Sequence, residues 1–185
     1  MIVTTNDTLR RMVGARTLAT FERSIPGSEI LHGYPLQFSR RLVLLHVLRE
    51  FHLDGYALLR VGDIARVRRG QSERFFARML RQEGVSKLVG IAHELQLSDV
   101  NSALASLKAQ KKLLTVECEA PDVGEYYAGR VQRLTASTAS LHTFDACGKW
   151  GAQPTRVVFD AISLVTWDNE YLSVFERYLP KRRQS

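Results

Sequence analysis

The stretch Ile30–Arg69, ILHGYPLQFSRRLVLLHVLREFHLDGYALLRVGDIARVRR, decides how the chain is expected to fold. Its middle, LVLLHVL from Leu42 to Leu48, is apolar at nearly every position over a short run, the pattern of a strand covered on both faces. The preceding EILHGYPLQF is read as a strand in which Gly33 permits a bulge or sharp bend. Ser39-Arg40-Arg41 is a tight polar connection between the two. Asp54-Gly55 is a strong hairpin dipeptide. Asp63 has a turn-forming role ahead of IARVRR, a short closing strand.

Working outward, TLATFERSI alternates Phe21, Arg23 and Ile25 with Thr20, Glu22 and Ser24, and Pro26-Gly27-Ser28 supplies a turn. On the other side SERFFARMLRQ forms a closing helical turn or two, with Ser72 as its cap. The same plan is written again later. LLTVECEA answers TLATFERSI, and Pro121-Asp122 answers the Pro26 turn. EYYAGRVQRLTASTASLHTF then places Gly129 on Gly33 and Leu141-His142 on Leu45-His46. TRVVFDAISLV answers ALLRVGDIARV, with Asp160 and Ile162 standing for Asp63 and Ile64, and NEYLSVFERYL echoes SERFFARML. A shared order of features over this length points to an internal duplication.

Five segments follow: an N-terminal arm over 1–16, a first repeat over 17–81, a connector over 82–111, a second repeat over 112–179 and a basic tail over 180–185. The arm carries Leu9 and Met12 on a turn that is too short to be stable alone. In the connector, Leu88, Ile91 and Leu95, then Val100, Leu104 and Leu107, recur at helical spacing, with Ser98-Asp99 capping the second helix.

Short strands, a glycine-bent second strand and a closing Asp-Ile-x-x-Val strand (Asp63–Val67, and more loosely Asp160–Val165) resemble SH3-like and Sm-like small barrels. The resemblance covers roughly residues 17–80 and 113–179. It implies a mainly β (α+β) protein of two tandem small β-barrels joined by a helical segment.

Composition limits the function classes. A chain with 45% hydrophobic and 24% charged residues folds rather than staying disordered, and no apolar run is long enough to span a membrane as a helix. Two cysteines without CxxC spacing suit a reducing, cytoplasmic compartment and no disulfide framework. The net charge of +7 is uneven: residues 17–81 hold eleven arginines against six acidic groups, whereas 112–179 hold six basic against nine acidic. Such asymmetry bears on partners, not on fold.

The strongest binding candidates are therefore Arg40, Arg41, Arg60, Arg66, Arg68 and Arg69, with Lys181, Arg182 and Arg183 in the tail. The planar guanidinium fork suits phosphate or carboxylate oxygens. Trp150, Trp167, Tyr126 and Tyr127 occur only in the second repeat and would anchor a protein interface if exposed together. His46 and His142 occupy matching strand positions without further ligands at metal spacing, so neither a metal nor another cofactor is expected. Cys118, His142 and Cys147 offer a remote thiol chemistry, and no nucleotide-binding or hydrolase motif occurs. These observations lead to a non-enzymatic adaptor whose partner is another protein or a second copy of itself. The alternative is binding of RNA or single-stranded DNA through the basic first repeat and tail.

Overall fold

The computed structural model describes residues 5–120 and 123–180. Ten strands and four helices follow one another as α1 (Thr5–Ala15), β1 (Ala19–Arg23), β2 (Leu31–Phe38), β3 (Leu42–Arg49), β4 (His52–Arg60), β5 (Ile64–Arg68), α2 (Gln71–Gln82), α3 (Val100–Ala109), β6 (Leu114–Ala120), β7 (Val123–Leu134), β8 (Thr138–Thr143), β9 (Thr155–Val158), β10 (Leu164–Trp167) and α4 (Glu170–Tyr178). All strand pairs are antiparallel and form one open sheet in the order β5-β1-β2-β3-β4-β10-β6-β7-β8-β9.

The expected pair of closed small barrels is not formed. Closing the first would require β4 to pair with β5, which lies at the far end of the same five strands. Instead β4 pairs with β10, Leu59 opposite Leu164 and Leu58 opposite Val165. Both strands are buried along this contact, and strands that bury both faces and fill both edges are the most completely desolvated way to satisfy their backbones. The β class holds; the closure does not.

Each half nonetheless repeats one internal order, the fifth strand beside the first and then the second, third and fourth. The second strands kink alike, with a register shift between Pro35 and Gln37 in β2 and between Val131 and Arg133 in β7. A methyl group on Gly33 or on Gly129 would collide with the carbonyl of His46 or His142, so neither position has room for a side chain.

Three sequence expectations change. The turn between β3 and β4 lies at Glu50-Phe51, with Glu50 at φ +54°, and Asp54-Gly55 falls inside β4 beside an irregularity in its pairing with β3. Gly55 holds φ +68° against the backbone of Trp167–Asn169, and the Glu170 N–H donates to Asp54 Oδ1 at 2.7 Å. The dipeptide thus serves the contact between halves, where backbone and cap both need it. In the connector a 3-10 turn forms over Val85–Leu88, and of the two expected α-helices the second forms, α3, capped by Asp99 Oδ1 accepting from the Ser102 N–H at 2.8 Å. Residues 89–99 are irregular because first-half side chains take their backbone groups: Gly90 N–H donates to His46 Nδ1, Tyr56 donates to the Gly90 carbonyl, and Leu95 N–H donates to Gln37 Oε1. Finally, α2 runs twelve residues, and its N-terminal Gly70 N–H donates to the Glu73 carboxylate at 2.5 Å; Ser72 is not the cap.

Apolar residues sit on both faces of the sheet. On one face of the first half, Leu9 and Met12 of α1 pack on Phe21, Val43, Leu45 and Leu59, so the arm gains its stability from the sheet. The largest cluster joins α3 to the second half and reaches Leu42, Leu44 and Leu58. A small third cluster, Leu18, Tyr34, Leu48, Leu80 and Val89, lies near α2. One buried ion pair ties the halves: Arg23 of β1 meets the Glu119 carboxylate of β6 in a two-pronged bond, and Ser163 adds a third donor at 2.6 Å.

Candidate nucleic-acid interface

The sheet places Thr20 of β1, His32 of β2 and Arg66 and Arg68 of β5 around a cleft of about 780 Å³ beside the start of α2. Its floor is a fixed chain of hydrogen bonds. Thr20 donates to Glu73 Oε1 at 2.8 Å, and His32 Nδ1 lies 2.9 Å from the same hydroxyl oxygen. A hydroxyl has one hydrogen, so with it spent on Glu73 the contact requires Nδ1 to donate, leaving Nε2 of a neutral His32 as an acceptor. Burial would raise the pKa of Glu73, but bonds from Thr20 and backbone N–H groups, with Arg68 nearby, outweigh it and hold the carboxyl ionised below its ordinary range.

The expected basic cluster divides in two. Arg40 and Arg41 lie on the β2–β3 turn and, with Arg60, line a separate cavity of about 530 Å³ that also contains Asp63, Asp99 and Asp160. Arg60 donates to the carbonyls of Phe159 and Asp160, a link between halves. Asp63 and Asp160 themselves lie in matching 3-10 turns. Arg66, Arg68 and Arg69 instead stand at the free edge of β5 and its end, where Arg68 pairs with Glu22 at 2.8 Å. Lys181, Arg182 and Arg183 lie outside the described residues, as does the Pro121-Asp122 turn.

The structure adds arginines not singled out from the sequence. Arg74, Arg78 and Arg81 of α2, with Arg69 and Arg16, line a neighbouring cavity of about 640 Å³. Their spacing of four and three along α2 is a readable sign that they share a helix face. Among the described residues, Arg66, Arg69, Arg74, Arg78 and Arg81 have no carboxylate partner. Phenylalanines stand beside them: Phe51 on the β3–β4 turn is 54% exposed and stacks on Phe76, which lines the first cleft, while Phe75 is 52% exposed under Arg78.

Of the aromatic residues expected at a protein interface, Trp167 does not reach the surface, whereas Tyr126 and Trp150 are linked by ring contacts through Tyr171, Phe175 and Phe144. Trp167 is 1% exposed and stacks on Tyr56 at the β4–β10 contact, so it holds the halves together and offers nothing to an outside partner. Trp150 is half-buried on the His142 ring, as Tyr56 is on His46, each at 4.6 Å between centroids. Tyr127 is half-buried, its phenol pushed up to about 12 by burial and by Glu125. Tyr126 is half-exposed and meets Tyr171 of α4 edge-on.

His46 is buried, accepts from Gly90, and has its pKa lowered to about 4 by burial, so it is neutral at pH 7. Burial raises the Cys118 thiol, whereas Cys147 is exposed on the turn after β8. Among the described residues, no three His, Cys, Asp or Glu side chains are grouped to hold a metal ion, and no helix is long and apolar enough to cross a membrane. No protein family, curated protein or solved structure matches the chain, so its surface chemistry carries the functional reading.

Proposed function

We propose that the chain binds single-stranded nucleic acid across the β5–α2 face of its first half. The observation that carries this reading is the adjacency of unpaired arginines to exposed phenylalanines. Arginine forks bond phosphate oxygens, and aromatic faces stack on unpaired bases of any sequence. Neither group alone separates nucleic acid from an acidic protein; their combination on one surface favours unpaired bases.

The test is anisotropy of a labelled single-stranded 12-mer across a salt series. Affinity should fall with salt, and Arg66→Gln with Arg69→Gln should lessen the log–log slope by about 1.4, near 0.7 for each phosphate no longer neutralised. Phe76→Ala should weaken binding by roughly 1–3 kcal/mol at unchanged slope. Salt-independent affinity, or none at low salt, would sink the proposal.

A second reading, an adaptor that binds another protein, is favoured by α4. There Tyr171, Val174 and Tyr178 are exposed beside Glu170 and Glu176. Such a partner should survive nuclease treatment in a pull-down and be lost with Tyr171→Ala and Tyr178→Ala; a partner released by nuclease would count against it.

A further inference from the structure

The cavity of Arg16, Arg69, Arg74, Arg78 and Arg81 is distinct from the cleft that would hold bases, although Leu18, Arg69, Gln71 and Glu73 border both. Five arginines line it with one carboxylate residue, Glu73, and that carboxylate is engaged by Thr20 and Gly70. Three of the five are held by single weak contacts: Arg16 on the Val89 carbonyl at 3.3 Å, Arg74 on the Arg69 carbonyl at 3.4 Å, and Arg78 over the Phe75 ring. The guanidinia of Arg69 and Arg81 have no hydrogen-bond partner among the described residues.

Tyr34 supplies the second, independent observation. It lines the same cavity, is 3% exposed, and its hydroxyl is buried without a hydrogen-bond partner. The phenol lies within electrostatic reach of Arg81. Leaving a buried hydroxyl unpaired forfeits the hydrogen bonds it had in water. Concentrating like charges adds to that cost. An anion with several acceptor oxygens would relieve both.

We infer that this cavity is a subsite for a terminal phosphomonoester, the phosphorylated end of a strand or a free mononucleotide. A phosphomonoester has three free oxygens and close to two negative charges near pH 7, enough for several arginine forks and the Tyr34 hydroxyl together. A diester inside a strand offers two free oxygens and one charge, fewer acceptors and less charge for the same donors. The inference rests on the nucleic-acid reading for the strand-end form, and stands without it for the free mononucleotide.

The experiment compares one labelled 12-mer with no terminal phosphate, with a 5′-phosphate and with a 3′-phosphate, and titrates a nucleoside 5′-monophosphate alone by calorimetry. One phosphorylated end should bind about tenfold tighter than the unphosphorylated strand, the gain of one charge-assisted hydrogen bond. Arg81→Gln should erase that preference, whereas Arg66→Gln should weaken both strands and leave their tenfold ratio unchanged. Tyr34→Phe should reduce the preference, with circular dichroism confirming the fold. If no strand binds but the mononucleotide does, and Arg81→Gln abolishes this, the nucleic-acid reading fails and the subsite stands. Strands that bind equally with and without a terminal phosphate, together with no mononucleotide binding, overturn it.

Discussion

β5 and β10 hold the same place in their two halves, yet one is a free edge and the other is paired on both sides. Registered through their first-strand partners, Arg66, Val67 and Arg68 of the free edge correspond to Leu164, Val165 and Thr166 of the paired strand. The fourth strands show the same contrast, with Arg156 of the edge strand β9 where the paired β4 has Leu58. At two matched positions, Arg66 and Arg156, arginine stands on a free edge where the paired strand has leucine, although Val158 of β9 answers Arg60 of β4. Unpaired strand edges invite other strands, and charge on them discourages such pairing. The arginines of β5 therefore serve two ends at once: they keep the edge open, and they supply the cationic rim of the cleft.

This contrast between seam and edge can be broken most severely at the seam. Glu119→Ala should leave the Arg23 guanidinium, whose side chain is fully buried, without its carboxylate and cost about 3–5 kcal/mol in urea unfolding. Replacing both partners with apolar residues should recover most of that loss; a single variant within about 1 kcal/mol of the parent would show that the pair does not hold the halves together.

Of the matched histidines, the buried one gives a smaller effect. His46 binds its proton near pH 4 in the folded chain and near 6.5 when unfolded. Between those values the unfolded chain holds more protons, so stability should fall by about 3 kcal/mol as pH drops from 7 to 4. His46→Asn, which can still accept from Gly90, should flatten that dependence. A slope unchanged from the parent would refute the assignment.

The edge itself should respond least to a single change. Arg66→Leu combined with Arg156→Leu gives both free edges the apolar character of the seam, and light scattering should then detect head-to-tail association that either single variant shows more weakly. An unchanged mass would mean that the arginines are not what keeps the edges apart.

Strands, bends and the repeated order were legible because each is written locally: LVLLHVL spells a doubly covered strand, and Gly33 and Gly129 mark the same tight approach. The seam was not. β4 is equally compatible with closing its own half or joining the other, and what decides between them is a partner strand far along the chain. Asp54-Gly55 misleads for the same reason, since its conformation answers to the Trp167–Asn169 backbone and not to a local turn. Of the candidate site, the arginines of β5 were evident from charge alone. Arg74, Arg78 and Arg81 were hidden by the mixed character of α2, and the buried state of Tyr34 depends on Leu80 and Val89 arriving from two other segments.

The β4–β10 pairing also sets a timetable. About a hundred residues separate Leu59 from Leu164, so at roughly 5–20 residues per second β4 leaves the ribosome some 5–20 s before its neighbour exists. During that interval the nascent first half carries an apolar, unprotected edge, Ala57-Leu58-Leu59, of the kind the finished protein shields with arginine. The interval is when a chaperone, or a neighbouring nascent chain, could occupy the place meant for β10.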